Sequence, residues 1–326
     1  MFEGFDSRMV AGQGAGLHVR VGGQGPPLLL LHGYPQTSAM WHKVAPGLAE
    51  RHTVVAADLR GYGRSAKPPS DPGHVAYSKR VMALDLVRVM AGLGFSEFAV
   101  AGHDRGGRVG YRMALDHPAT VTRLAVLDIV PTHVMWQRMD RHLAMATYHW
   151  LLLAQPDGLP ETLIGADPGW WVLECLRRWA GDMAAFAPEA LEEYVRCFAD
   201  PAAIHASCED YRAGATVDDR LDADDLGRRR IGCPVLALWG VDGIARRAED
   251  PLAGWRPWCE DVAGHGVPGG HPRLLRGLPG RGDPRRPLRC RGPGAAPDRL
   301  PGAGPVGHRR DRPAGRGPAG GLAALV

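Results

Sequence analysis

Short apolar runs alternate with helical periods along the first part of the chain. The apolar runs, rich in Val, Leu and Ala, lie at 28–32, 53–57, 98–102, 123–128 and 234–240. Each run is short and mostly apolar, which is the pattern of a strand buried on both faces of a sheet. Helical periods lie between several of these runs, at 38–50, 76–92 and 106–117. The alternation predicts an α/β fold with a mostly parallel sheet and flanking helices.

The strand pattern stops after Pro131 and returns after about Gly227. Stretches within this interval have helical periodicity, at 133–154, 170–180 and 188–199. We therefore predict a helical cap over 131–227, inserted between two parts of one core. The core then comprises 1–130 and 228–271, and a tail occupies 272–326.

The tail differs from the rest of the chain in composition. Its 55 residues include 12 Gly, 10 Pro and 12 Arg, with no Phe, Trp or Tyr. Such a segment buries too little apolar area to offset its conformational entropy, so we predict disorder. One functional interpretation is an arginine-rich arm that binds RNA or acidic lipid.

A genetic explanation of the tail is the one we favour. With suitable codons, the sequence RGLPGRGDPRRP at 276–287 can spell ADFPGEATLAAL when read one nucleotide later. The alternative has the acids and the Ala/Leu face of a normal terminal helix. We hypothesise a frameshift between about His271 and Arg276, and resequencing the DNA tests it. The chain as written is then expected to be unstable or poorly active, and a frame-corrected chain to work.

Charge and composition exclude several classes of protein. The net charge of +4 divides into +9 on the tail and −5 on the rest, so the body is mildly acidic and only the tail is basic. No apolar run reaches the roughly 20 residues that span a bilayer, and no secretory signal precedes the first strand. The six cysteines lack CxxC spacing, which argues against a zinc site and a disulfide framework. We expect a cytoplasmic protein without a membrane or nucleic-acid partner.

A candidate nucleophile stands between a buried strand and a helix. The segment FAVAGHDRG at 98–106 places G-x-D-x-G at this junction, as in the nucleophile elbow of α/β hydrolases. Asp104 occupies the nucleophile position of this motif. The alternative interpretation is an ordinary aspartate N-cap at the start of a helix. A carboxylate attacks a saturated carbon or an epoxide and forms an ester that water later cleaves, so peptide and lipid ester hydrolysis are disfavoured.

The remaining catalytic groups follow in the expected chain order of nucleophile, acid and histidine. Asp128 ends a predicted strand, and His271 follows the last one, with His265 as its competitor. The HGYP sequence at 32–35 supplies backbone N–H groups that can help to hold an oxyanion. We assign the donors to the amides of Tyr34 and Arg105.

Several segments together resemble the haloacetate dehalogenases, including the fluoroacetate dehalogenases, over residues 1–271. The segments are HGYPQT (32–37), DLRGYGRS (58–65), AGHDRGGRVGYRMALDHP (101–118), LDIVPT (127–132), HWLLLAQP (149–156), CEDYRAGAT (208–216) and CPVLALWG (233–240). The resemblance implies the α/β-hydrolase fold and hydrolytic removal of halide from a 2-haloacid. The chain departs from the family pattern at Pro272, directly after the matching histidine.

The resemblance also assigns roles to matching residues. Asp104 resembles the nucleophile, His271 the base that activates water, and Asp128 the acid that orients this base. Arg105 and Arg108 resemble the pair that binds the substrate carboxylate; lying three apart at a helix start, they share a face beside the nucleophile and can offer bidentate donors. The implied halide pocket consists of His149, Trp150 and Tyr211.

The implied reaction requires no metal and no organic cofactor, and its substrate is a small anionic haloacid. Family members are commonly dimers, so the resemblance is compatible with a homodimer. The nearest rival is an epoxide hydrolase, for which Tyr148 and Tyr211 would polarise the epoxide oxygen. Arg105 and Arg108 weigh against it, because they favour an anion. A second rival is an inactive or binding-only relative with an altered C-terminus.

Overall fold

One eight-stranded sheet runs through the part of the chain that the computed structural model describes, residues 1–180, 182–241 and 250–267. The strands are β1 (Asp6–Ala11), β2 (Gly16–Gly22), β3 (Pro27–Leu31), β4 (Thr53–Ala57), β5 (Phe98–His103), β6 (Val121–Leu127), β7 (Val235–Gly240) and β8 (Val262–Val267). Their order in the sheet is β1-β2-β4-β3-β5-β6-β7-β8. The pairs β1–β2 and β2–β4 are antiparallel and the other five are parallel. The prediction of a mostly parallel sheet is confirmed.

The five predominantly apolar runs form the centre of the sheet. They correspond to β3 through β7, and the four leucines of β3 are fully buried. The sequence did not predict β1, β2 and β8. These strands lie toward the two edges, where β1 is largely exposed and β8 is half glycine or polar, so their composition carries less of the apolar signal.

Helices cover the sheet and form the segment between β6 and β7. The helices are α1 (Ala45–Ala49), α2 (Lys79–Gly92), α3 (Arg105–Asp116), α4 (Thr132–Gln137), α5 (Arg141–Ala146), α6 (Tyr148–Leu153), α7 (Leu159–Gly165), α8 (Pro168–Ala180), α9 (Pro188–Phe198), α10 (Pro201–Ala215) and α11 (Val217–Asp225). Short 3₁₀ helices lie at Ser38–Lys43, Val75–Tyr77, Met183–Ala185 and Arg256–Trp258. Among the described residues, the chain from Thr132 to Asp225 contains helices and no strand.

The predicted helical stretch 133–154 consists of three short helices. Asp140 starts the second of them, where its carboxylate accepts a hydrogen bond from the amide of Leu143 at 2.7 Å. This cap satisfies a backbone donor at a new helix start, so the helical period is interrupted there. Helices α7, α10 and α11 were not predicted.

Buried polar contacts join the helical segment to the sheet. Arg20 of β2 donates two hydrogen bonds to the carboxylate of Glu193 on α9, at 2.9 and 2.8 Å. The hydroxyl of Thr37 donates to the same carboxylate at 2.8 Å. Because an unpaired buried charge is strongly destabilising, these bonds couple the placement of α9 to that of β2.

Two sequence predictions fall on other parts of the chain. His271 and the tail at 272–326 lie outside the described residues. Within the described residues, no helix combines the length and apolarity required to cross a bilayer.

Candidate active site

Asp104 sits on a strained turn between β5 and α3. Its backbone has φ 46° and ψ −115°, a conformation that non-glycine residues rarely adopt. The turn reverses the chain from strand to helix within one residue. This turn has the predicted elbow geometry. Asp104 occupies the N-cap position of α3, but its side chain makes no capping hydrogen bond to that helix.

Neighbouring glycines make room for this turn. A Cβ on Gly33 would lie 2.6 Å from the Cβ of Asp104, and one on Gly106 would lie 2.5 Å from the carbonyl oxygen of His32. Both distances are too short for real atoms, so the chain segments can approach this closely only with glycine. The close approach brings the loop after β3 against the carboxylate, where the amide of Tyr34 donates to Oδ2 of Asp104 at 2.9 Å.

Arg105 directly follows Asp104 and is fully buried. Its Nε and Nη2 donate to Oδ2 and Oδ1 of Asp210, each at 2.8 Å, and Nη2 also donates to the Asp210 carbonyl at 2.8 Å. Nη1 has no hydrogen-bond partner among the described residues. Asp210 therefore occupies one edge of the guanidinium, and the free donors of Arg105 are those on Nη1.

Arg108 lies one turn further along α3 and is also buried. Its Nη1 donates to the carbonyl of Val130 at 2.8 Å, and its guanidinium carbon lies 4.4 Å from the ring centre of Trp150. Nε has no partner within the described part of the chain. Burial lowers the pKa of Arg108, although an arginine stays charged at any physiological pH.

The three residues predicted to bind halide converge on Arg105. The ring centre of Tyr211 lies 5.7 Å from that of His149 and 5.9 Å from that of Trp150, and the guanidinium carbon of Arg105 lies 4.1 Å from it. The Tyr211 hydroxyl and Nδ1 of His149 are buried without a hydrogen-bond partner among the described residues. Unpaired buried polar atoms are unfavourable in a protein interior, so these atoms are candidates for contact with a ligand.

The charge state of Asp104 suits a nucleophile. Burial alone raises the pKa of its carboxyl, but His103, Arg105 and Arg108 oppose this effect, and the amide of Tyr34 adds a hydrogen bond. The pKa of Asp104 therefore lies below its ordinary value. The carboxylate is ionised at neutral pH and can attack an electrophilic carbon.

Asp128 lies at the carboxyl end of β6, next to β5, the strand that Asp104 follows. His103 on β5 pairs with Leu127 on β6, so Asp104 and Asp128 each follow the strand end of adjacent parallel strands. Asp128 has a positive φ of 60°, and its Oδ1 lies 3.4 Å from the amide of Gly240 at the end of β7. This end of the sheet is where ligands bind in parallel α/β folds.

Comparisons with known proteins agree with this geometry. Residues 26–155 match a family model described as alpha/beta hydrolase fold. A fluoroacetate dehalogenase from Burkholderia sp is 51% identical over 272 residues, which cover 83% of this chain and 89% of that protein. The chain belongs to the haloacetate dehalogenase family of α/β hydrolases.

Further comparisons place this haloacetate dehalogenase relative among its wider group. A soluble epoxide hydrolase from Corynebacterium sp. (strain C12) is 32% identical, covering 77% of this chain and 85% of that protein. A crystal structure described as an alpha/beta hydrolase from Nostoc sp PCC 7120 matches with TM-score 0.82 and 55% identity, covering 84% of this chain and 94% of that one. The predicted α/β-hydrolase fold is confirmed, and the chain is a hydrolase.

The candidate site also contains residues that sequence reasoning missed. Asp210 lies within the CEDYRAGAT segment at 208–216, but the sequence indicates no role for it. The sequence likewise does not identify Trp171 and Trp179 as site residues. The indole of Trp171 donates to the Tyr34 hydroxyl at 2.6 Å, and the ring of Trp179 lies 4.3 Å from that of His149. The only available signal was their place in the predicted cap, because each contact joins residues far apart in the chain.

The structure separates the two tyrosines of the epoxide hydrolase alternative. The Tyr211 hydroxyl beside Arg105 has no partner among the residues that the structure describes, whereas the Tyr148 hydroxyl lies 3.9 Å from Sγ of Cys175 on α8. The two hydroxyls therefore do not form a matched pair of donors with the same surroundings.

Burial gives His149 a measurable effect on stability. It lowers the pKa of His149 to about 3, from an ordinary value of 6.5, so the imidazole is neutral in the folded protein. The unfolded chain binds a proton at this residue between these two pH values and the folded chain does not. The free energy of unfolding therefore falls as the pH falls below 6.5.

We expect His149→Gln to remove this part of the pH dependence. Between about pH 7.5 and pH 5, wild type should lose about 2 kcal/mol more unfolding free energy than the variant. Urea unfolding of both proteins at the two pH values measures this difference, and all shared titrating groups cancel in it. An equal loss in both proteins would show that His149 is not held neutral by burial.

Proposed function

We propose that this chain hydrolyses a 2-haloacid such as fluoroacetate or chloroacetate to glycolate and halide. The observation that carries the proposal is a set of buried donors near the ionised carboxylate of Asp104 that have no hydrogen-bond partner within the described part of the chain. Two guanidinium groups offer positive charge for a substrate carboxylate, and His149 and Tyr211 offer neutral donors. The fluoroacetate dehalogenase relative supports the same reaction class.

The first step is displacement of the halide. An oxygen of Asp104 attacks the α-carbon while the carbon–halogen bond breaks, and an ester forms between the aspartate and the acid. Arg105 and Arg108 bind the carboxylate of the substrate. The donors of His149, Trp150 and Tyr211 stabilise the leaving halide; Tyr211 stays a neutral donor because burial and the charge of Asp104 raise its pKa.

The second step is hydrolysis of the ester. Water, activated by His271 as the base, attacks the ester carbonyl carbon, and the backbone amides of Tyr34 and Arg105 stabilise the oxyanion. Asp128 orients the base in this proposal. The ester C–O bond to the carbonyl carbon breaks, glycolate leaves, and Asp104 is regenerated as a carboxylate.

An epoxide hydrolase is the alternative that the soluble epoxide hydrolase relative brings forward. Nη1 of Arg105 and Nε of Arg108 have no hydrogen-bond partner among the described residues, and a neutral epoxide would leave these buried donors unpaired, which is unfavourable. Of the two tyrosines required by this alternative, the hydroxyl of Tyr148 is directed at Cys175. We therefore propose the haloacid reaction ahead of epoxide hydrolysis.

Paired substrates test the proposal. We expect the chain to release halide from chloroacetate and fluoroacetate, with kcat/KM for chloroacetate at least about a hundredfold above that for the neutral chloroacetamide. The reason is that the amide forgoes charge-assisted hydrogen bonds with both arginines, each worth about 1.5–3 kcal/mol. Ion chromatography measures the halide, and a neutral epoxide, styrene oxide, serves as the substrate of the alternative.

Each outcome has a clear meaning. Absence of halide release from both acids by a folded, frame-corrected chain would contradict the proposed function. Turnover of styrene oxide with no halide release would favour the epoxide hydrolase, and binding without any turnover would indicate a binding-only relative.

A further inference from the structure

Asp210 on α10 collects three buried donors behind the substrate-facing part of the site. Its carboxylate accepts from Arg105 through two nitrogens, each at 2.8 Å, from the Tyr62 hydroxyl at 2.7 Å, and from Nζ of Lys79. All four side chains are buried. Burial raises the pKa of Asp210, but the positive charges of Arg105 and Lys79 outweigh this effect and lower it, so the carboxylate is fully ionised.

These contacts decide which donors Arg105 has left. A guanidinium has five N–H groups, and the carboxylate and carbonyl of Asp210 take those on Nε and Nη2. The pair on Nη1 remains without a partner among the described residues. Since the guanidinium is planar and rigid, fixing one edge also fixes the direction of the other.

We propose that Asp210 is a positioning residue for recognition of the substrate carboxylate. It holds Arg105 by one edge, so that Nη1 is presented to the anion beside Asp104. The inference rests on the proposed function, because it takes Arg105 as a ligand of the substrate carboxylate. Lys79 and Tyr62 complete the acceptor sites of Asp210 and keep its carboxylate in this orientation.

The same helix turn also carries the halide pocket. Tyr211 follows Asp210 directly on α10, and its ring lies under the guanidinium of Arg105 at 4.1 Å. The ion pair between Arg105 and Asp210 therefore sets the distance between Arg105, which binds the substrate carboxylate, and Tyr211, which binds the halide. In a two-carbon haloacid these groups are held on adjacent carbons, so this distance is a constraint on substrate size.

Simple electrostatics predicts the opposite effect of removing Asp210. A negative charge next to an anion site repels the anion, so Coulomb's law alone predicts tighter substrate binding after Asp210→Asn. Positioning predicts weaker binding, because the guanidinium loses the partner that fixes its edge. The sign of the change in affinity therefore distinguishes the two.

The experiment compares wild type with Asp210→Asn in the full chain. We expect KM for chloroacetate and the inhibition constant of acetate each to rise about tenfold, which is the loss of roughly one charge-assisted hydrogen bond. Inhibition by bromide, which probes the halide pocket alone, should change less than about twofold. A general structural defect would weaken both inhibitors together, so the split between acetate and bromide is the decisive readout.

Asp218→Asn is the matched control. Asp218 is buried and accepts from the amide of Lys79 at 2.8 Å and from Nζ of Lys79 at 3.3 Å, but it makes no hydrogen bond to Arg105 within the described residues. The control removes one charge from the same cluster and leaves the contacts of Arg105 in place. We expect acetate inhibition within about twofold of wild type in this variant.

Tyr62→Phe tests the inference without changing charge. If Asp210→Asn does not fold, this variant alone tests whether Asp210 positions Arg105. It removes one donor to Asp210 and should weaken acetate inhibition about threefold. Unchanged or tighter acetate binding in the folded variants would overturn the positioning role. Wild type that binds acetate but releases no halide from either haloacid would instead show failure of the proposed function.

Discussion

Asp104→Asn should lower halide release from chloroacetate by roughly four orders of magnitude or more. The amide is a poor nucleophile, and loss of a nucleophile that acts together with other catalytic groups removes nearly all catalysis by the set. Asparagine has the same shape as aspartate and tolerates a positive φ, so the turn between β5 and α3 should persist. Halide release measured by ion chromatography tests this, with mass spectrometry confirming that residue 104 remains asparagine.

Asp157→Asn is the control for this variant. Asp157 also has a positive φ, of 61°, and is exposed to solvent. The same substitution there should leave kcat/KM within about twofold of wild type. Retention of more than about a tenth of the activity by Asp104→Asn would rule out the proposed nucleophile.

Gly106→Ala should reduce both stability and activity. Its Cβ would lie 2.5 Å from the carbonyl oxygen of His32 and 2.6 Å from the carbonyl carbon of Leu31, and backbone cannot yield as a flexible side chain can. Moving α3 away from β3 should lower the free energy of unfolding by about 2 kcal/mol. The movement also displaces Arg105 and Arg108, so we expect about a hundredfold loss in kcat/KM. Urea unfolding and halide release measure the two effects.

Gly47→Ala provides the contrast. Gly47 lies in α1, and a Cβ there would meet no atom within 4 Å. Alanine is favoured over glycine in a helix by about 0.5–1 kcal/mol, so this variant should be as stable as wild type or slightly more stable. Similar unfolding curves for the two alanine variants would disprove tight packing of α3 on β3.

The predictable part of the fold is the part whose burial is visible along the sequence. Strands β3 to β7 are apolar at nearly every position because both faces are covered, and this composition marks them without any knowledge of their neighbours. The nucleophile position was equally visible, since its flanking glycines and strand are local features. Both depend on residues close together in the chain.

The unpredicted part depends on contacts between distant residues. Asp210 gains its place in the site only through Arg105, which lies 105 residues earlier in the chain. The sequence predicted that Arg105 offers a bidentate fork to the substrate. In the structure, Asp210 occupies the Nε and Nη2 edge of this guanidinium, because a buried guanidinium requires a counterion. No periodicity or spacing indicates such a pairing.

The ion pairs that join β2 and α3 to the helices of 132–225 also constrain how this protein can be recombined with its relatives. Arg20 on β2 requires Glu193, and Arg105 on α3 requires Asp210, yet each acid belongs to the inserted helical segment. A chimera that takes this segment from a donor lacking either acid would leave a guanidinium buried without its counterion. Crossovers at the segment ends are therefore compatible with folding only when both acids are inherited together with the arginines that they neutralise.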